Sequence, residues 1–218
     1  MKILRFYIIY RLPLIALLII LGILSQVLNK DLITAWICYV LAFISLLLYF
    51  MMGTMRLVQE AVSEGDVDKA MVYIKMIKFP RLLLKPIRSG YYMLQSNLLL
   101  ASDDLTAAES SIRKSLKTKS KIVGDVTGTN LMQLGFIQLK QGKTKEARQT
   151  LIDAAKAGIP DKDSMAAVYL QLCSIEIQRK QNKIGKEYFR KAKALKPKAD
   201  EIVKQLNMME KNIARLPG

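Results

Sequence analysis

The sequence predicts an all-α protein with an N-terminal transmembrane helical hairpin, an α-solenoid of about four helical hairpins and a C-terminal capping helix. Three observations carry this expectation. Two long uncharged apolar stretches stand near the N-terminus, separated only by Asn29-Lys30-Asp31. Further on, the small residues Ala70, Ala108, Ala147 and Gly185 recur 38, 39 and 38 residues apart, each within an amphipathic helical pattern. Apolar and charged residues are also segregated. Mean hydropathy is +0.18 although 24% of the residues are charged, and residues 1–55 carry only Lys2, Arg5, Arg11, Lys30 and Asp31 as charges. The expected divisions are 1–55 for the hairpin, 56–199 for the repeats and 200–218 for the cap.

The two spans are expected at about 3–28 and 32–55. Residues 12–28 and 32–55 hold 17 and 24 consecutive uncharged residues, and Arg5 and Arg11 can snorkel to headgroups, so each stretch reaches the length a bilayer requires. A secretory signal competes for the first stretch. Its apolar run exceeds a signal core, lacks a small-residue cleavage pattern and leads at once into a second run, which favours the span. A loop this short puts both outer ends of the hairpin on one side. Lys2, Arg5 and Arg11 precede the first span, Arg56 follows the second and the loop nets zero, so the N-terminus and the repeats are expected on the cytoplasmic face of a bacterial-type inner membrane. Trp36 and Tyr39 suit one interfacial belt, Tyr7, Tyr10, Tyr49 and Phe50 the other, and Asp31 suits a helix cap. Beyond Met55 the helical pattern runs on to Ser63-Glu64-Gly65-Asp66 with only Gly53 to bend it, which predicts a rigid mount.

Within 131–160, Leu131, Leu134 and Gly135 mark one helix and Ala147, Leu151 and Ala154 the next, with Gly142 at the turn and Pro160 beyond. The stretch resembles a tetratricopeptide (TPR) repeat, whose signature W-x2-L-G-x2-Y…A-x3-F…P it follows at Leu134-Gly135, at Ala147-x3-Leu151 and near Pro160. It departs at Leu131 for Trp, Gln138 for Tyr, Leu151 for Phe and a Pro displaced by one residue. The unit recurs as Tyr169, Leu172-Cys173, Gly185-x3-Phe189, Ala192 and Pro197. Upstream it recurs as Tyr92, Asp103, Ala108-x3-Ile112 and Ser115, and as Gly65, Ala70-x3-Ile74 and Ile77. The period exceeds 34 by about four residues, and the excess is placed in loops at 117–127 and 158–163.

The resemblance implies a TPR-like interaction module whose first helices line a concave groove. Carried over from the Leu-Gly anchor, the groove positions are Met93, Asn97 and Leu100, then Met132, Phe136 and Leu139, then Leu170, Ser174 and Ile177. Seven of these nine are apolar, which suits an amphipathic or extended hydrophobic segment of a partner protein rather than an acidic tail. After the last repeat, Ile202, Leu206, Met209 and Ile213 share a helical face that can close the array or fill the groove.

Charge points to anionic surroundings. Residues 53–218 contain 30 of the 34 Lys and Arg and 17 of the 18 acids, a net charge of +13. Lys75, Lys78, Arg81, Lys85 and Arg88 are candidate contacts to anionic lipid headgroups. The run 179–198 has nine Lys or Arg against Glu187 alone, yet its two aromatic residues, Tyr188 and Phe189, are adjacent and not interleaved among the charges for base stacking, so it does not point to nucleic acid.

No catalytic, metal or cofactor site is expected. Histidine is absent and the two cysteines, Cys38 and Cys173, have no evident disulfide partner. Gly142-Lys143-Thr144 resembles the end of a phosphate loop, but six residues instead of four separate Gly135 from Gly142. Asp66-Val67-Asp68 and Asp161-Lys162-Asp163 lack the Gly and distal Glu of a calcium loop and suit helix caps. Asp103-Asp104 sits at a turn without a second carboxylate placed for acid–base work. Two readings remain: a membrane-anchored protein–protein interaction scaffold, and a membrane-bound structural or anionic-lipid-organising element whose groove is filled by its own chain.

Overall fold

The helices follow the apolar periodicity closely. The computed structural model describes residues 2–29, 32–52, 55–118 and 126–214, with the side chains at 2–9, 11–12, 28–29, 47–52 and 55–56 outside the description. Among the described residues the secondary structure is entirely helical, and the chain divides into two compact units, Met1–Ala101 and Ser102–Gly218.

In the first unit, α1 (Lys2–Leu24) continues into a π-helical turn at Ser25–Asn29 and packs against α2 (Leu32–Met52). Its seam is made mostly of small residues. A Cβ on Gly22 would lie 2.7 Å from the Tyr39 ring, so only glycine permits that approach. Among the described side chains, Ile15, Ala35 and Ala42 are also buried, and the pairs 15/22 and 35/42 are each seven apart, the spacing of a two-helix seam. Large side chains point the other way: Leu17, Ile20, Val27, Ile33, Trp36 and Phe43 are all exposed.

Among the described residues no helix is long and apolar enough to cross a membrane, so the two spans expected at 3–28 and 32–55 are not supported as full spans. The described side chains run without interruption only over 13–27 and 32–46, roughly 22 Å of helix each at ~1.5 Å per residue, against a hydrocarbon core of about 30 Å. The flanking Lys2, Arg5, Arg11 and Arg56, the Asp31 cap and the belt residues Tyr7, Tyr49 and Phe50 lie outside the described side chains. So do residues 53–54, where helix continuity across Gly53 was expected.

The rest of the first unit is α3 (Met55–Ser63), α4 (Val67–Lys75), a 3-10 turn at Pro80–Leu82 and α5 (Lys85–Ala101). Val58, Ala61, Ala70, Ile74, Leu83, Tyr91 and Leu98 form their common core. Asp66 caps α4 by accepting the Lys69 N–H at 2.9 Å.

The second unit contains α6 (Leu105–Lys117), α7 (Thr127–Lys140), α8 (Thr144–Ala157), α9 (Lys162–Gln178), α10 (Asn182–Ala194) and α11 (Asp200–Ala214). Helices α7 and α8 pack as one hairpin and α9 and α10 as another, with α6 on α7 and α8 on α9. Gly135 admits the Leu151 side chain, which a Cβ would meet at 2.6 Å. Leu151, Ala154, Val168, Leu172 and Ile175 make one core cluster, and Leu170, Cys173, Phe189, Ala192 and Leu206 a second. Of the loop expected at 117–127, residues 119–125 lie outside the description.

The repeat is written in the backbone as well. Gly65, Asp103, Gly142 and Lys180 all have positive φ, at 76°, 60°, 76° and 61°, and they stand 38, 39 and 38 residues apart. Each is the middle residue of the three-residue link from a first helix to a second. At three of them the next residue donates its N–H back into the preceding helix: Asp66 to Ala61 O at 2.9 Å, Lys143 to Gln138 O at 2.9 Å and Gln181 to Glu176 O at 2.8 Å. These bonds satisfy carbonyls that the ending helix would leave open.

Candidate functional site

The groove positions divide between the two units. Met93 and Leu100 are half-buried and Asn97 exposed on α5, in the first unit. On α7, Met132, Phe136 and Leu139 are half-buried and packed against the cluster that contains Leu151 and Leu172. On α9, Ser174 is half-buried, while Leu170 is buried in the second cluster, the one with Cys173 and Leu206 of α11, and Ile177 lies against it. Ile202, Met209 and Ile213 join Leu206 there, so the apolar side of α9 is covered by its own chain. Lys193 on α10 reaches Glu210 on α11 at 2.5 Å, and the Lys198 N–H donates to Asp163 at 2.6 Å.

Sequence reasoning missed two ionic seams between successive hairpins. On α9, Glu176 is fully buried and accepts from Arg148 of α8 and, at 3.1 Å, from Arg179. On α6, Glu109 accepts from Arg113 at 2.6 Å and from Lys143 at 2.9 Å, and the Gln141 side chain donates to Leu105 O at 3.0 Å. Burial pushes the Glu109 carboxyl up, but hydrogen bonds from Lys143 and Arg113 outweigh it and hold it below its ordinary 4.5. A signal existed: Glu109 and Arg148 each follow a repeat anchor, Ala108 and Ala147, and Glu176 holds the register of Gln138.

The basic cluster separates into two roles. Lys75, Lys78, Arg81 and Lys85 are exposed, whereas Arg88 is half-buried and donates through Nε and Nη2 to Leu83 O at 3.2 and 2.9 Å. Four of the five candidate lipid contacts are therefore open to solvent, and the fifth fastens a loop.

Cys173 is buried, and that burial pushes its thiol up to about 11, so it stays protonated at neutral pH. Among the described residues no group of three or more Cys, Asp or Glu is placed to hold a metal ion. No protein-family model matches the chain, and no curated protein sequence matches it.

Proposed function

We propose that the protein is a membrane-anchored, TPR-like interaction scaffold. In this reading α1 and α2 sit in the bilayer of a bacterial-type inner membrane, with the basic helical repeats in the cytoplasm. The observation that supports it is the reversed polarity of the first hairpin, whose buried seam is small and whose exposed surface carries Leu17, Ile20, Ile33 and Phe43. Water disfavours such a surface and lipid accepts it. The TPR-like assignment draws on the turn period and the buried anchors Ala70, Ala108 and Ala147. A partner would supply an amphipathic or extended apolar segment to the α7 positions Met132, Phe136 and Leu139.

One observation favours the second reading, a structural or lipid-organising element: Leu170 is already covered by Leu206. Two measurements test the pair. Alkaline carbonate should leave the full chain in the membrane pellet, and its release would remove the anchor from both readings. Photocrosslinking in cells from position 132 should then give an adduct with a partner protein. Adducts confined to the chain's own helices would replace the scaffold with the self-covered element.

A further inference from the structure

The connection between α4 and α5 is ordered and yet displays its largest apolar side chains outward. Its shape is fixed from within. The Leu82 N–H bonds to Phe79 O at 3.0 Å, the Leu83 N–H to Pro80 O at 3.2 Å, and the Arg88 guanidinium clamps Leu83 O. Leu83 is 3% exposed and belongs to the core, whereas Phe79, Leu82 and Leu84 are 62%, 56% and 51% exposed. Burying Leu83 in this backbone sends its two neighbours outward. Interleaved with the apolar tip are the exposed Lys78, Arg81 and Lys85, and from residue 69 to residue 102 there is no Asp or Glu at all.

An apolar tip ringed by cations, without a nearby carboxylate, matches an anionic lipid surface. Apolar groups enter the headgroup–acyl boundary while long basic side chains remain at the phosphates. A protein surface that bound this tip would have to supply both an apolar pocket and acidic groups around it, whereas a bilayer offers both everywhere. We propose that this connection is a second, interfacial membrane contact, inserting Phe79, Leu82 and Leu84 into an anionic leaflet with Lys78, Arg81 and Lys85 on its phosphates. The inference rests on the membrane reading of α1 and α2, which belong to the same compact unit.

The chain has a single tryptophan, Trp36, which is 67% exposed on α2, and this allows the two contacts to be read separately. The full chain is reconstituted into phosphatidylglycerol-containing vesicles whose lipids are brominated at shallow or at deep acyl positions. With the native sequence, Trp36 reports the hairpin; the double variant Trp36→Phe, Phe79→Trp moves the only indole to the connection. The indole at position 79 should emit at short wavelength and be quenched several-fold more by shallow than by deep bromines. Replacing phosphatidylglycerol with phosphatidylcholine, or adding Leu82→Asp and Leu84→Asp, should restore most of the emission. If Trp36 is quenched while the indole at position 79 is not, the interfacial contact is wrong and the anchor stands. If neither is quenched, both are wrong. A blue-shifted but unquenched indole at position 79 also overturns the proposal, since it would then be covered by protein.

Discussion

The α1–α2 hairpin and the α7–α10 repeats are both packed helices, but they are packed with opposite materials. In the first, Gly22, Ala35 and Ala42 lie inside while Ile20, Ile33 and Phe43 face outward; in the second, Leu151, Val168 and Leu172 are buried and Lys145, Gln149 and Lys183 face outward. The repeats gain stability by removing apolar area from water, which requires large side chains inside. A seam of small residues gains little that way and relies on close backbone approach, which suits helices whose surroundings are already apolar. The contrast shows that helix pairing alone says little about environment; the size of the buried residues says more.

The largest expected effect lies in the repeats' ionic seam. Arg148→Ala leaves the fully buried Glu176 carboxylate without its partner on α8, and should cost about 3–5 kcal/mol in urea denaturation of the full chain in detergent. A change under about 1 kcal/mol would mean that Arg179 and water satisfy Glu176. Leu151→Ala should cost about 2–5 kcal/mol by opening a cavity against Gly135, whereas Leu21→Ala or Ile33→Ala, on the exposed side of the first hairpin, should leave helix pairing unchanged. Equal losses at all three positions would erase the distinction between the regions.

The reverse substitution sharpens it. Gly22→Leu must displace the Tyr39 ring and should destabilise the first hairpin by about 1–3 kcal/mol, read as an earlier helical melting step with the repeats' transition unmoved. A smaller gain is expected at the last turn. Lys180→Gly relieves a non-glycine residue at φ 61° and should stabilise the second unit by about 0.5–1 kcal/mol, while Gly142→Lys should reverse the sign.

The smallest effect is pH-dependent. Because the Glu109 carboxyl titrates below its ordinary 4.5 when folded, its contribution is complete above that value and is lost as pH falls through the folded pKa. Glu109→Gln should flatten this acid-side slope. An unchanged slope would assign the acid sensitivity to other carboxylates.

The repeat spacing was legible in the sequence because Ala70, Ala108, Ala147 and Gly185 must be small wherever two helices cross closely, and a steric demand of that kind leaves a regular trace. The positive-φ residues were only half legible. Gly65 and Gly142 announce themselves, but Asp103 and Lys180 occupy the same backbone state with side chains that tolerate it at some cost. Nothing in the residues flanking Glu176 marks it as buried, since its partner Arg148 stands 28 positions earlier. For the candidate groove, helical phase placed Leu170 and Phe136 on a common side and gave Leu206 an apolar face able to cover it, but where α11 folds back is a long-range contact that no local pattern fixes. The exposure of Leu82 and Leu84 was hidden for a similar reason: the Arg88 clamp on Leu83 decides which of three consecutive leucines turns inward.

The four left-handed turn residues also make the chain divisible. Excising residues 143–180 would join Gly142 directly to Gln181, so a left-handed residue would still be followed by the N-cap of a second helix. Duplicating the same segment would leave both junctions equally regular. Recombination between coding sequences at these points therefore changes the protein by whole hairpins, without half-helices at the seam. Length variation among descendants of such a chain is expected in steps of 38 or 39 residues, and the array can grow or shrink while each remaining turn keeps its geometry.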